Sequence, residues 1–131
     1  MTSTVREARG TFDVELRPAG AELGGAAGRF DFDKTFHGDL VAAGTGMMLT
    51  AGDPALGSAG YVALETVTGR LHGRRGSLAL QQLGHLADGA QTLIYRIVPG
   101  SGTDELAGVT GDLDLTIDAD GTHRYVLAYE G

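Results

Sequence analysis

From Gly57 to Ile97 the chain alternates apolar and polar residues with a period of two, through two turn signals. That pattern commits the middle of the sequence to adjoining antiparallel strands. The words are GSAGYVALETVTGRLHGRRG followed by SLALQQLGHLADG, and one carboxylate, Glu65, falls on the face that is otherwise apolar. A charge on an apolar face is costly unless it is paired. Glu65 is therefore read either as half of a structural ion pair or as a working acid or base.

Turn chemistry sets the pairing. A two-residue turn at Arg74-Arg75 would place Leu71 opposite Leu78 and Val67 opposite Gln82. A turn at Asp88-Gly89 places Gly84 opposite Leu93, Gln82 opposite Tyr95 and Leu80 opposite Ile97. Both turns sort Ala63, Glu65, Val67, Leu71, Leu78, Leu80, Gln82, Leu86, Leu93, Tyr95 and Ile97 onto one face. Thr66, Thr68, Arg70, His72, Ser77, Gln81, His85, Thr92 and Arg96 fall on the other. Near the end, a three-residue loop at Ala119-Asp120-Gly121 groups Leu113, Leu115 and Ile117 with His123, Tyr125, Leu127 and Tyr129.

Upstream, Phe12, Val14 and Leu16 alternate with Asp13 and Glu15, and Pro18 to Gly28 reads as a loop. Phe30, Phe32 and Phe36 share a face whose odd member is Lys34. Leu40 to Ala51 reads as a bent, glycine-rich strand, followed by a turn at Gly52-Asp53-Pro54. The 22 glycines, well above the usual share of roughly 7%, follow no fixed period and punctuate alternating segments. About eight strands, short connections and no convincing helix predict an all-β fold, a single antiparallel meander closed into a barrel. Its bounds are 10–131, after a flexible N-terminal segment 1–9.

At 131 residues the chain is long enough for one domain with a real core. A formal charge of −7 argues against nucleic acid as partner, which would need a clustered basic surface. With no cysteine, disulfides and thiolate chemistry are excluded. No apolar leader or spanning stretch is visible, so the expectation is a soluble cytoplasmic protein without a membrane partner. The four histidines lack metal-ligand spacing, and PGSGT lacks the lysine and helix of a phosphate loop. No metal and no cofactor are expected.

The words FHGDL, GSAGYVALETVTGRLHG, GSLALQQ, VPGSGT and ELAGVTG together resemble the bacterial family Domain of Unknown Function 3224, over about Gly10 to Glu130. The family's fold is similar to the allene oxide cyclase barrel, so the resemblance implies a compact β-barrel with a central cavity and no established activity. Family members commonly read leucine-glutamine-histidine where this chain has Leu80-Gln81-Gln82. Gln82 thus stands where a histidine often faces the glutamate position.

Glu65, Gln82 and Tyr95 lie within two ladder steps on the inner face, close enough for long side chains to share a ligand or a water. They are the candidate catalytic residues, with Glu65 as base or anchor and the other two orienting a polar group. Lys34 could pair with Glu65 or act as a Schiff-base or proton-transfer lysine. If the two pair, each explains the other's burial. Lys34, Phe32, Phe36, Leu80, His123 and Tyr125 are the candidate ligand-binding residues. His72 and His85 are read as solvated, whereas His37 or His123 could line an entrance.

The leading expectation is a barrel that encloses a mainly hydrophobic small molecule and steers it through a cofactor-independent isomerisation or cyclisation. The rivals are a non-catalytic carrier or sensor barrel, and a filled barrel whose function lies in self-association through an open edge or face; among partners, the sequence leaves a homodimer open.

Overall fold

The structure, a computed structural model, describes residues 4–20 and 28–131. Eight strands run in chain order: β1 (Arg6–Pro18), β2 (Gly28–Gly38), β3 (Leu40–Asp53), β4 (Ser58–Leu71), β5 (Arg74–Ala87), β6 (Ala90–Ile97), β7 (Thr110–Ile117) and β8 (His123–Glu130). Each pairs antiparallel with the next, and β8 pairs back onto β1, so the meander closes into a barrel. Closure removes the free edges that an open sheet of this kind would expose. Short 3₁₀ turns at Pro54–Leu56 and Asp104–Leu106 are the helical pieces among the described residues, and no helix is long and apolar enough to cross a membrane.

Two of the three predicted registers hold. Gln82 pairs with Tyr95 and Leu80 with Ile97, while Leu115 pairs with Tyr125 around a loop where the Asp118 amide donates to the Thr122 carbonyl at 2.9 Å. The β4–β5 turn differs. It sits at His72-Gly73, whose φ angles of 47° and 78° give a left-handed two-residue turn, and not at Arg74-Arg75. Val67 therefore pairs with Leu78 instead of Gln82. A displacement by an even number of positions keeps every side chain on its expected face, so the inward sorting survives the error. The first strand also starts earlier than the sequence suggests. Residues 6–9 already pair with β8, and Ala8 opposite Leu127 is fully buried. Residues 1–3 of the expected N-terminal segment, and 21–27 of the expected loop, lie outside the described residues.

The barrel is filled at one end and hollow at the other. The filled end is closed by the long β6–β7 connection. Leu106 and Val109 from that connection pack beneath Leu71, Leu78, Ile97, Leu127 and Tyr129. The same connection satisfies the part of β5 that outruns β6: the Val98 and Thr103 amides donate to the Ala79 and Ser77 carbonyls, each at 2.9 Å. PGSGT is thus a backbone-pairing plug segment. At the other end, inward positions such as Leu16, Leu93 and Ile117 remain 50%, 39% and 59% exposed because no described residue fills the space between them. The outer wall is not uniformly polar either, since Met47, Val62, Leu64, Leu83 and Ile94 stand exposed on β3 to β6.

Truncating the plug should therefore weaken the barrel without touching its open end. Leu106→Ala is expected to cost about 2–5 kcal/mol of unfolding free energy, as for other buried leucines, measured by urea denaturation. A loss well below that range would mean that the connection lies loosely on the barrel end.

Candidate functional site

The open half forms a cup of about 620 Å³ whose mouth is ringed by the β1–β2, β3–β4, β5–β6 and β7–β8 ends. Its walls are mainly apolar, with Phe12, Val14, Phe32, Met48, Ala63 and Leu115 among them. Lys34, Tyr61, Gln82 and His123 supply polar groups, and His85 stands at the rim. Besides the two histidines and the Tyr61 phenol, Lys34 is the one ionisable side chain of the lining among the described residues.

At the floor of this lining Lys34 joins a buried polar cluster. The Lys34 Nζ donates to Glu65 Oε1 at 2.9 Å and to the Tyr95 hydroxyl at 2.7 Å, and that hydroxyl donates to the same Oε1 at 2.5 Å. The residues reach it from three strands by the inward parity of each strand. Lys34 on β2 is flanked by Phe32 and Phe36, and Glu65 on β4 lies across from Gly46 on β3. A Cβ at Gly46 would sit 2.6 Å from the Phe32 ring and 2.7 Å from the Glu65 Cβ, so the glycine makes room for the aromatic ring and the glutamate stem. Glu65 is 2% exposed and its Oε2 has no hydrogen-bond partner among the described residues.

The electrostatics follow from burial. Desolvation pulls the Lys34 ammonium below the ordinary lysine range, and the adjacent Glu65 carboxylate opposes that shift. Burial pushes the Tyr95 phenol well above its usual value, and the Glu65 charge adds to the push, so the phenol stays protonated. The ammonium also lies 4.7 Å from the Phe12 ring centroid and 5.1 Å from those of Phe32 and Tyr95. Aromatic faces replace part of the hydration that the cation loses.

Of the three candidate catalytic residues, Glu65 and Tyr95 meet directly, and Lys34 joins them. Gln82 lines the cup but turns to a different partner: its Oε1 accepts from the Tyr61 hydroxyl at 2.7 Å. The candidate ligand-binding set divides by depth. Lys34, Phe32 and His123 line the cup, with the His123 ring 5.0 Å from Phe12. Phe36, Leu80 and Tyr125 point inward in the filled half and do not line it. Parity settles inward from outward, but depth along the barrel depends on which end the plug closes. Tyr125 has a structural task at the closed end, accepting from the Leu40 amide at 3.0 Å and donating to the His37 carbonyl at 2.8 Å. His37 lies at that end too and pairs with Asp13, away from the cup. His72 is half-buried and bonded to the Tyr129 hydroxyl, not solvated.

Tyr61 is a polar lining residue that the alternation in the sequence leaves unassigned. Tyr61 could have been found by parity, two ladder steps from Glu65 on the same face. Its ring crosses Gly84 on β5, where a Cβ would come within 2.2 Å of it. A second signal is simple arithmetic: among the ten lysines and arginines of the chain, Lys34 is the sole lysine. Among the described residues, no three His, Asp or Glu side chains converge to hold a metal.

Comparison with known proteins places the fold. The family described as Protein of unknown function (DUF3224) matches residues 8–129. A crystal structure of a DUF3224 protein of unknown function from Shewanella oneidensis MR-1 is 42% identical over 96% of each chain, with a TM-score of 0.91. No curated protein matches.

The pair at the floor should behave as a coupled unit. Lys34→Met and Glu65→Leu are each expected to cost about 3–5 kcal/mol, because each leaves the other partner buried and alone. The double variant should recover most of that loss, as apolar replacements of buried ion pairs do. Chemical denaturation of the four proteins measures the coupling, and strictly additive costs would show that the two charges do not support one another.

Proposed function

The chain belongs to the DUF3224 family, and because that membership carries no activity, we propose from the cup itself that the protein binds a small, mainly apolar molecule bearing one neutral oxygen. The observation that carries this reading is an apolar cup of about 620 Å³ with a cationic donor at its floor. Small-molecule sites fall at about 300–1,000 Å³ and combine apolar walls with a few placed polar groups. The apolar inner rim at Leu16, Leu93 and Ile117 supports it, since exposing such residues in water is unfavourable unless something covers them. A neutral oxygen fits better than a carboxylate. The Lys34 charge is already balanced by Glu65, so the floor has no surplus positive charge for an anion.

Binding without turnover, as in a carrier or sensor, is the primary reading. The Lys34–Glu65 pair explains both burials without chemistry, which weakens the case for Glu65 as a free base. A cofactor-independent isomerase or cyclase, in keeping with the resemblance to the allene oxide cyclase barrel, is the second reading. What favours it is the hydrogen-bonded run from Lys34 through Tyr95 to Glu65, which could shift a proton while confinement orients the substrate.

A thermal-shift screen against neutral, oxygen-bearing apolar molecules tests the binding. A ligand at about one hundred times its Kd should add about 2.7 kcal/mol of stability. Ala63→Phe, which places a ring in the cup, should abolish that stabilisation while the barrel still unfolds cooperatively. Incubating each hit with the protein then separates carrier from isomerase: an unchanged ligand supports the first, a rearranged one the second. No stabilisation by any apolar molecule would overturn the proposal.

A further inference from the structure

We infer that Lys34 captures neutral apolar aldehydes or ketones in the cup as a reversible imine, with Glu65 and Tyr95 holding and moving the proton. This rests on the cup being a ligand site and names the ligand class as carbonyl compounds.

Three independent observations converge on it. The first is the choice of residue. Nine arginines supply every other basic side chain of that kind, yet the single buried position carries the lysine. A buried ion pair alone would be served as well or better by arginine, whose planar fork matches a carboxylate, but arginine does not release its proton. Lysine does.

The second is placement. Lys34 lines the cup, and its two hydrogen bonds, to Glu65 Oε1 at 2.9 Å and Tyr95 at 2.7 Å, leave its third position without a polar partner among the described residues. The third is the proton acceptor. Glu65 Oε1 accepts the Lys34 hydrogen bond at 2.9 Å, so the proton moves along a bond already made, and Oε2 accepts no hydrogen bond among the described residues, leaving the carboxylate incompletely satisfied as an anion. Passing that proton from ammonium to carboxylate turns two buried charges into two neutral groups, a change that low-dielectric surroundings favour. Burial pulls the lysine in the same direction.

The bonds balance. A proton passes from the Lys34 ammonium to Glu65, and the neutral amine attacks the carbonyl carbon, forming a C–N bond while the π electrons move to oxygen. Glu65 protonates that oxygen and takes a proton from the nitrogen, giving the carbinolamine. The same proton then returns to the hydroxyl, which leaves as water while the nitrogen lone pair forms the C=N bond. The product is an iminium cation beside the Glu65 carboxylate, so the original ion pair is restored, and water entering from the mouth reverses it. No oxidant or reductant takes part.

Cuminaldehyde and sodium cyanoborohydride test the inference on the unaltered chain, with cuminyl alcohol as the matched molecule that cannot form an imine. Peptide mapping by mass spectrometry should find a reduced adduct on Lys34 at least about ten-fold above that on the terminal amine, since confinement raises the effective concentration at the cup. Lys34→Arg should lose the adduct completely, and the map of the unaltered chain assigns the site whether or not that variant folds. If the alcohol raises the melting temperature but the aldehyde leaves Lys34 unmodified, or labels the terminal amine alone, imine capture is overturned and the cup stands. If neither compound stabilises the protein and no label appears, both proposals fail.

Discussion

Burying a lysine and a glutamate in one small barrel is tolerable only if the two side chains meet, and their meeting organises the rest of the interior. Each ion stripped from water costs several kcal/mol, which a well-oriented partner and further hydrogen bonds can offset. Here the partner is the opposite charge at 2.9 Å, the further bonds come from Tyr95, and aromatic faces surround the ammonium. The geometry requires β2, β4 and β6 to face one another across the lumen, which only the closed barrel provides. The pair thus ties together strands that share no backbone hydrogen bonds.

The same cluster marks the boundary between two environments. Below it, Leu106, Val109 and the ring of leucines and tyrosines fill the barrel to the plug. Above it, the lumen stays open to the mouth. A half-filled barrel is a compromise: the packed end supplies the stability that the empty end forgoes. It also places the chain's one lysine amine at the floor of an apolar cup, where burial strips it of water.

Much of this was legible in the residues. The alternation in β1, β2 and β4 to β8 assigns inward and outward faces correctly, and it puts Glu65, Tyr95 and Lys34 inside. The Asp88-Gly89 and Ala119-Asp120-Gly121 signals set two registers because Asp88, Gly89 and Gly121 take left-handed turn positions, which aspartate and glycine tolerate. The β4–β5 turn departs from the expectation because the two arginines look like a polar loop. His72-Gly73 wins because a left-handed histidine followed by glycine closes a two-residue turn.

The strand-forming pattern, the side of each residue and the presence of two opposite charges on inner faces follow from the residues alone. Depth does not. Phe36, Leu80 and Tyr125 share their parity with the cup residues, yet packing from the β6–β7 connection buries them in the solid half. The choice of partner does not follow either. Gln82 lies diagonal to Glu65 but bonds Tyr61, while Lys34 and Tyr95 take up Glu65 Oε1. A period-two pattern carries one bit per residue, in or out. Which strands face each other across the lumen, and which end is plugged, are decided only when the chain closes.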